Sequence, residues 1–151
     1  VQSNKTRAIA EHFDWVHSID RLKIAQRLSA QRPKDKPPLQ VLLQVNSSDE
    51  RSKSGCSFAE LESLANAVSA LPALQLRGLM TIPARCDDFE QQRRPFHRLR
   101  QALQQLNEKG HTLDSLSMGM SNDIRAAIAE GTTMVRVGTA IFGARQQAGI
   151  K

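Results

Sequence analysis

The apolar residues of the chain recur in two alternating patterns. Short runs rich in Val, Ile, Leu and Met have the length of buried strands, and longer segments repeat apolar residues at every third or fourth position, as the inner face of a helix does. The predicted strands are residues 15–19, 39–45, 76–82, 113–118 and 134–137. Because a helical pattern lies between successive runs, the sequence predicts βαβ crossovers and a parallel sheet.

The ends of two predicted helices carry local signals. Ser57 and Glu60 have the spacing of a capping box, and the apolar stripe that begins at Phe58 follows them. Gly110 stands after the helix that follows the third strand, where glycine favours the end of a helix.

The near-continuous apolar content of residues 39–45 indicates burial on both faces, as in a parallel sheet. Five βα units fit a barrel or an open doubly wound sheet, but they are too few for a complete eight-stranded barrel of about 250 residues. No repeat of fixed period and no second domain is evident, so residues 1–151 are expected to form a single domain.

Composition narrows the class of protein. The chain is 40% hydrophobic and 24% charged, which is typical of a soluble globular domain. No apolar run approaches the roughly 20 residues of a membrane-spanning helix. Cys56 and Cys86 cannot supply a disulfide framework, and the amino end has no apolar signal region, so a cytoplasmic protein without membrane partners is expected.

The net charge of +6 leaves anionic partners open, from phosphate-bearing small molecules to nucleic acid. Arg93, Arg94, Arg98 and Arg100 cluster in the predicted helix after the third strand. Base-stacking aromatic residues are lacking beside them, which favours a solvated helix face over a nucleic-acid footprint. A basic nucleic-acid-binding module therefore remains only a secondary alternative.

Candidate chemistry lies in the loops that follow the last two predicted strands, because ligands gather at the carboxyl ends of parallel strands. In residues 117–121, a glycine permits close approach of the backbone, and Ser121 adds a hydroxyl that can hold an anion. In residues 136–139, Arg136 supplies a positive charge, and Gly138 and Thr139 offer backbone amides.

The order of these two segments favours a phosphate pocket between them, which recurs in βα barrels. Each segment also has a purely structural explanation: a capped turn for residues 117–123, a bulge at Gly138 and an interior ion pair for Arg136. The four histidines and two cysteines show no metal-ligand spacing, so no metal site is predicted. Lys53 follows the second strand and is a secondary candidate for phosphate contact, although a solvated loop lysine is the ordinary case.

Five motifs resemble the pyridoxal phosphate homeostasis protein family. They are QSNK at residues 2–5, SKSG at 52–55, RGLMTIP at 77–83, SMGMSND at 117–123 and VRVGTAIFGAR at 135–145. The resemblance implies an alanine racemase-like barrel that binds pyridoxal 5′-phosphate (PLP). It also implies a role in storing, delivering or buffering the cofactor, with effects on amino-acid and keto-acid balance, and PLP-dependent apo-enzymes as recipients.

The resemblance assigns roles to individual residues. Ser121 would hold a phosphate oxygen, and Gly138 and Thr139 would contact the same phosphate through an amide and a hydroxyl. Arg136 would face the pyridine nitrogen, where a cation keeps that nitrogen unprotonated and weakens the electron sink that carbanion chemistry needs.

Two further residues receive roles from the same resemblance. Asn4, in the QSNK motif, would neighbour the ring of the cofactor. Met118, in the SMGMSND motif, would form part of the pocket wall. No catalytic residue is assigned.

The family's Schiff-base lysine lies before the QSNK motif, at which this sequence begins. The resemblance therefore implies the carboxyl-terminal portion of the family fold. The expected fold is a partial TIM-type (β/α)8 barrel with about five of eight βα units, and PLP binding would be noncovalent at most. A PLP-dependent racemase-like enzyme remains an alternative, but it needs a second acid/base group, and tyrosine is absent from the sequence.

Overall fold

Helices and parallel strands alternate along the computed structural model, which describes residues 1–48 and 54–143. A 3-10 turn at Ser3–Lys5 leads into the first helix. The elements are α1 (Thr6–His12), β1 (Trp15–Ile19), α2 (Leu22–Gln31), β2 (Leu39–Gln44), α3 (Phe58–Ser69), β3 (Leu74–Met80), α4 (Phe89–Glu108), β4 (Ser115–Ser117), α5 (Ile124–Ala129) and α6 (Thr139–Phe142).

The four strands form one sheet in the order β1-β2-β3-β4, and every neighbouring pair is parallel. Strands that follow one another in the chain therefore lie side by side, joined by α2, α3 and α4. The predicted parallel α/β architecture is confirmed. All carboxyl ends of the strands meet at one edge, which is the edge that ligands use in such sheets.

One face of the sheet is buried against the helices. Strand residues such as Val41, Leu43 and Leu79 are fully buried in a hydrophobic cluster with helix residues such as Leu28 and Leu99. Leu42 and Met80 are also buried, but they lie outside this cluster. Alternate side chains of a strand point to opposite faces, so these two residues indicate a second, inner face.

The sheet is strongly curved. The ring of His17 on β1 lies 3.0 Å (Nδ1 to Oγ) from Ser117 on β4, although two strands separate β1 from β4. Three interstrand spacings in a flat sheet would place those backbones about 14 Å apart, which a histidine and a serine cannot bridge. The contact therefore requires the curvature of a barrel wall, and it confirms the expected partial barrel.

A glycine permits the close approach of β3 and β4. A Cβ added at Gly78 would lie only 1.8 Å from the carbonyl oxygen of Ser115 on β4. A side chain at this position would therefore push the strands apart. The sequence pattern gave no sign of this requirement.

The fifth predicted strand lies beside β4 but forms only an isolated bridge between Met134 and Ser117. The amide of Arg136 donates to the Gly119 carbonyl (2.9 Å), so the segment still follows β4. The ladder is short because β4 has three residues and the chain turns at Gly119, whose φ is +96°. The predicted strands at residues 76–82 and 113–118 also differ from the observed bounds of β3 and β4.

Both predicted helix-end signals are confirmed. Glu60 N donates to Ser57 Oγ (3.3 Å) and Ser57 N donates to Glu60 Oε2 (2.9 Å), which together make the capping box of α3. Gly110 follows α4 with φ +100°, the left-handed conformation that glycine adopts at helix ends.

The arginines of α4 hold a buried carboxylate. Glu130, directly after α5, is 1% exposed, and its oxygens lie 2.8 Å from Arg93 Nη2, 3.3 Å from Arg100 Nη2 and 3.0 Å from His97 Nδ1. Burial raises the pKa of Glu130, but the hydrogen bonds from Arg93 and His97, together with the charges of Arg100 and Arg93, outweigh that effect and lower it. Much of the arginine cluster thus ties α4 to α5.

Replacing the Glu130 carboxylate tests how much its contacts with α4 stabilise the fold. Glu130→Gln is expected to lower the free energy of unfolding by about 2 kcal/mol at neutral pH, because several charge-assisted hydrogen bonds are lost. Since the pKa of Glu130 is lowered in the folded state, its stabilisation is complete above its unfolded pKa and disappears as pH falls through the folded value. Urea unfolding of both proteins over acid to neutral pH measures the difference.

Glu90→Gln is the matched control, because Glu90 also binds Arg93 but is exposed. An exposed pair contributes roughly 1 kcal/mol or less. Equal effects of the two substitutions, or a difference that does not shrink at acid pH, would contradict the role given to Glu130.

Candidate functional site

Two segments meet at the carboxyl edge of β4. Residues 119–123 form the turn into α5, and residues 136–139 lead into α6. Arg136 N donates to Gly119 O (2.9 Å), and Ala140 N donates to Ser121 Oγ (3.2 Å). The structure therefore brings together the two segments that the sequence singled out.

The turn after β4 depends on glycine and aspartate. Gly119 has φ +96°, and a Cβ added there would lie 2.6 Å from the Ala127 side chain. Asp123 Oδ1 accepts a hydrogen bond from Met120 N (2.6 Å) and closes the turn. Ser121 lies between these fixed points, so its position is set by the local sequence.

Gly138 and Thr139 present backbone amides at the same place. Gly138 precedes α6 and Thr139 begins it. Neither N–H donates a hydrogen bond to another residue in the described part of the chain. These amides, the Thr139 hydroxyl and the Ser121 hydroxyl form a small group that can donate to an anion.

A cavity of about 290 Å³ opens beside this group. Its walls include Ile82, Pro83, Arg85, Met120, Ser121 and Thr139. Asn122 and Asp123 also line it, and the Asp123 carboxylate is engaged by Met120 N. The apolar walls, hydroxyls and one cation suit a ring that carries a phosphate. Within residues 1–48 and 54–143, the side chains that line the cavity include no lysine.

Arg85 is a cavity residue that the sequence reasoning missed. With the Asn122 amide oriented to accept, Arg85 Nη2 lies 2.7 Å from its oxygen, which holds the guanidinium at the cavity wall. A signal was present, because Arg85 follows the third strand at the carboxyl edge of the sheet. Without neighbouring motif residues, that signal does not stand out.

Arg136 crosses the carboxyl ends of two strands. Its Nη1 donates to the carbonyl oxygen (2.8 Å) and Oγ (2.6 Å) of Ser117, and its Nη2 donates to Thr81 O (2.8 Å). Burial lowers the pKa of Arg136, and Asp123 only partly opposes that shift. The group stays charged, and no carboxylate of the described residues lies within ion-pair distance of it. The predicted cation is therefore present, but the interior ion pair considered for it is not seen.

His17 and Ser117 complete this network on the inner face. Burial lowers the pKa of His17, and the neighbouring charge of Arg136 lowers it further. The imidazole is therefore neutral near pH 7. Sequence reasoning missed both residues, because 100 positions separate them and nothing local marks the pairing.

The remaining predicted residues lie elsewhere. Met118 is fully buried in the hydrophobic cluster and does not line the cavity, whereas Met120 does. Asn4 is exposed in the 3-10 turn before α1 and does not line the cavity either. Lys53 lies outside the described residues.

Within the described residues, no three His, Cys, Asp or Glu side chains gather where they could hold a metal ion. In the same part of the chain, no helix is both long and apolar enough to cross a membrane.

Relatives at the sequence level share one name. A protein of Pseudomonas aeruginosa is 62% identical over 145 residues, which cover 96% of this chain and 62% of the relative. A protein of Vibrio alginolyticus is 59% identical with the same coverage. Both are named pyridoxal phosphate homeostasis protein, which confirms the resemblance found in the motifs. The chain spans about three fifths of the length of these relatives.

Solved structures agree with the fold. The structure of PipY from Synechococcus elongatus with PLP bound has a TM-score of 0.84 at 35% identity, over 95% of this chain and 67% of that one. Alanine racemase from Corynebacterium glutamicum has a TM-score of 0.66 at 21% identity, over 90% of this chain and 38% of that one. The second likeness concerns the fold alone.

The family comparison covers nearly the whole chain. The family described as the N-terminal domain of alanine racemase matches residues 1–146. This match includes the parallel sheet, the turn after β4 and the segment that leads into α6. The chain therefore belongs to the family of the alanine racemase N-terminal domain.

Proposed function

We propose that this chain binds pyridoxal 5′-phosphate in the cavity beside Ser121 and Thr139 and serves in the homeostasis of that cofactor. The observation that carries the proposal is the convergence of free amides, two hydroxyls and the cation Arg85 on one cavity at the carboxyl edge of the sheet. The names of the relatives and the PLP in the PipY structure support the same ligand.

The phosphate would be held by neutral donors together with one cation. Ser121 and Thr139 contribute hydroxyls, and Gly138 and Thr139 contribute amides that have no acceptor among the described residues. Arg85 adds a positive charge at the wall. Such an arrangement matches a phosphate with several acceptor oxygens and two negative charges.

Arg136 would orient the ring and limit its chemistry. When bound, PLP supplies a reactive aldehyde on an electron-withdrawing pyridine ring. A guanidinium that faces the ring nitrogen cannot accept a proton from it and disfavours its protonated form. Arg136 is held by three oxygen contacts, so it can keep this orientation, and the residue favours a carrier over a racemase-like catalyst.

Binding in this chain is proposed to be noncovalent. The cavity-lining residues among those described offer hydroxyls, amides, one carboxylate and one guanidinium group, but no primary amine. Noncovalent binding suits a protein that stores the cofactor and passes it to PLP-dependent apo-enzymes. We place this role in the cytoplasm, with residues 1–151 acting as one domain.

Removing the two hydroxyls tests the phosphate site. The double substitution Ser121→Ala and Thr139→Ala is expected to raise the Kd for PLP by about 10-fold to 100-fold, because hydrogen bonds to a charged group are lost. Equilibrium dialysis with PLP measures the Kd. Ser63→Ala on the exposed side of α3 is the matched control and should leave the Kd unchanged.

An unchanged Kd in the double variant would place the phosphate elsewhere. If the unsubstituted chain shows no saturable binding of PLP, the proposed function itself is wrong.

Arg85 is expected to contribute to binding of the phosphate group and not of the pyridine ring. Arg85→Gln is expected to weaken PLP binding by about 5-fold to 10-fold and to leave the binding of unphosphorylated pyridoxal unchanged, because only the former has the charge to lose. Competition dialysis with both compounds gives the two ratios. Arg94→Gln on α4 is the control, and equal losses for both compounds would remove Arg85 from the phosphate site.

Borohydride reduction tests the noncovalent mode. The intact mass of the PLP-loaded chain is expected to remain 16.8 kDa after reduction, because no amine lies at the cavity among the described residues. Mass spectrometry under denaturing conditions reads this directly. A stoichiometric pyridoxyl adduct on one lysine would contradict the proposal, and Lys53 is the first position to examine.

A further inference from the structure

A hydrogen-bonded chain runs from Arg136 across the inner face of the sheet. Arg136 Nη1 lies 2.6 Å from Ser117 Oγ, and Ser117 Oγ lies 3.0 Å from His17 Nδ1. The three side chains come from the segment after β4, from β4 and from β1. The first strand is thereby coupled to the cation of the site through one serine.

The donors and acceptors of this chain have a consistent direction. A guanidinium can only donate, so Ser117 Oγ accepts from Arg136. The serine hydroxyl has one proton to give, and His17 Nδ1 is a neighbour that can accept it. This direction places the imidazole proton on Nε2 and makes His17 neutral, in agreement with the lowered pKa of that residue.

We infer that His17 is a positioning residue that, through Ser117, fixes the guanidinium of Arg136 in the orientation that the cofactor ring meets. This inference rests on the proposed function only where it mentions the ring. The coupling of the two residues stands on the distances alone.

Arg136 needs such support because no carboxylate of the described residues pairs with it. Its contacts are carbonyl oxygens of Ser117 and Thr81 and the Ser117 hydroxyl. The two carbonyl oxygens hold Nη1 and Nη2 of the Arg136 guanidinium, but the Ser117 hydroxyl can rotate. An acceptor at His17 Nδ1 holds the hydroxyl proton away from Arg136, so the lone pairs of the oxygen stay directed at the guanidinium.

Protonation of His17 would reverse this arrangement. Nδ1 would become a donor, and two cationic groups would then face one serine oxygen. Among the described residues, Arg136 is the charged group that lowers the pKa of His17. Arg77 lies over the ring of Trp15, which meets the His17 ring edge-on, but Arg77 is paired with Asp114. The positive charge of Arg136 therefore favours the neutral ring.

The coupling can be measured without any ligand. Nitrogen-15 correlation spectra of the histidine side chains report the tautomer and the pKa of each of the four histidines. The Nε2–H tautomer is expected for His17 at pH 7.5. Arg136→Gln should raise its pKa, because the facing charge is removed, whereas Arg94→Gln on α4 should not.

The consequence for the cofactor is measured by dialysis with PLP. His17→Phe is expected to raise the Kd about 5-fold to 10-fold at pH 7.5. His17→Asn keeps a polar group that does not titrate, so its Kd should rise less on going from pH 7.5 to pH 5.5 than that of the unsubstituted chain, by about 5-fold. His12→Asn, at the exposed end of α1, is the control for an uninvolved histidine.

Groups of PLP that titrate affect all variants equally, so the ratio between His17→Asn and the unsubstituted chain isolates His17. A merely structural histidine would change stability but give parallel pH profiles. His17 with a proton on Nδ1, a pKa insensitive to Arg136→Gln, or parallel profiles would each overturn the inference. If the unsubstituted chain binds no PLP, the proposed function fails, and the histidine spectra still decide the coupling.

Discussion

The hydrogen bonding of Arg136 to the ends of β3 and β4 is the interaction on which the site depends. Its guanidinium donates to Thr81 O at one strand end and to Ser117 O at the next. Ser117 O also accepts from Thr81 N (3.2 Å), so the guanidinium adds a second hydrogen bond there and joins the ends of the two strands. The segment that carries Arg136 then continues into Gly138 and Thr139, so the same anchor sets the position of the proposed phosphate amides.

The arginines on the helical side of the sheet have different partners from those at its carboxyl edge. On the helical side, Arg93 and Arg100 pair with the buried Glu130, Arg93 also pairs with Glu90, and these contacts join α4 and α5. At the carboxyl edge, Arg136 and Arg85 meet carbonyl and amide oxygens. Arg85 lines the cavity together with Asp123, and neither arginine forms an ion pair with a carboxylate of the described residues, so an anionic ligand can use the charge of Arg85.

The sequence predicted most clearly the strands and helix caps that depend on residues close together in the chain. The strand at Trp15–Ile19 has the predicted bounds, and the capping box at Ser57 and Glu60 forms as expected. The meeting of Ser121 with the segment at Thr139 was also predictable, because parallel strands bring successive loops to one edge. Motif resemblance supplied the proposed ligand, which spacing alone left as an unspecified phosphate.

Contacts made by curvature could not be predicted in this way. His17 meets Ser117 only because the sheet bends, and the close approach of β3 and β4 requires a glycine at position 78. The fifth run has the composition of a strand but keeps a single bridge, because β4 ends at Ser117 and the chain turns at Gly119 before a ladder can extend. Neither outcome is encoded in a local pattern of polar and apolar residues.

The central claim is that a phosphate lies between the turn after β4 and the start of α6. Backbone amide spectra of the nitrogen-15-labelled chain, recorded during titration with PLP, test it most directly. The account predicts saturable shifts concentrated in residues 119–122 and 138–140, with smaller shifts from inorganic phosphate at the same amides. Shifts confined to α4, where the paired arginines lie, or the absence of saturation would contradict it.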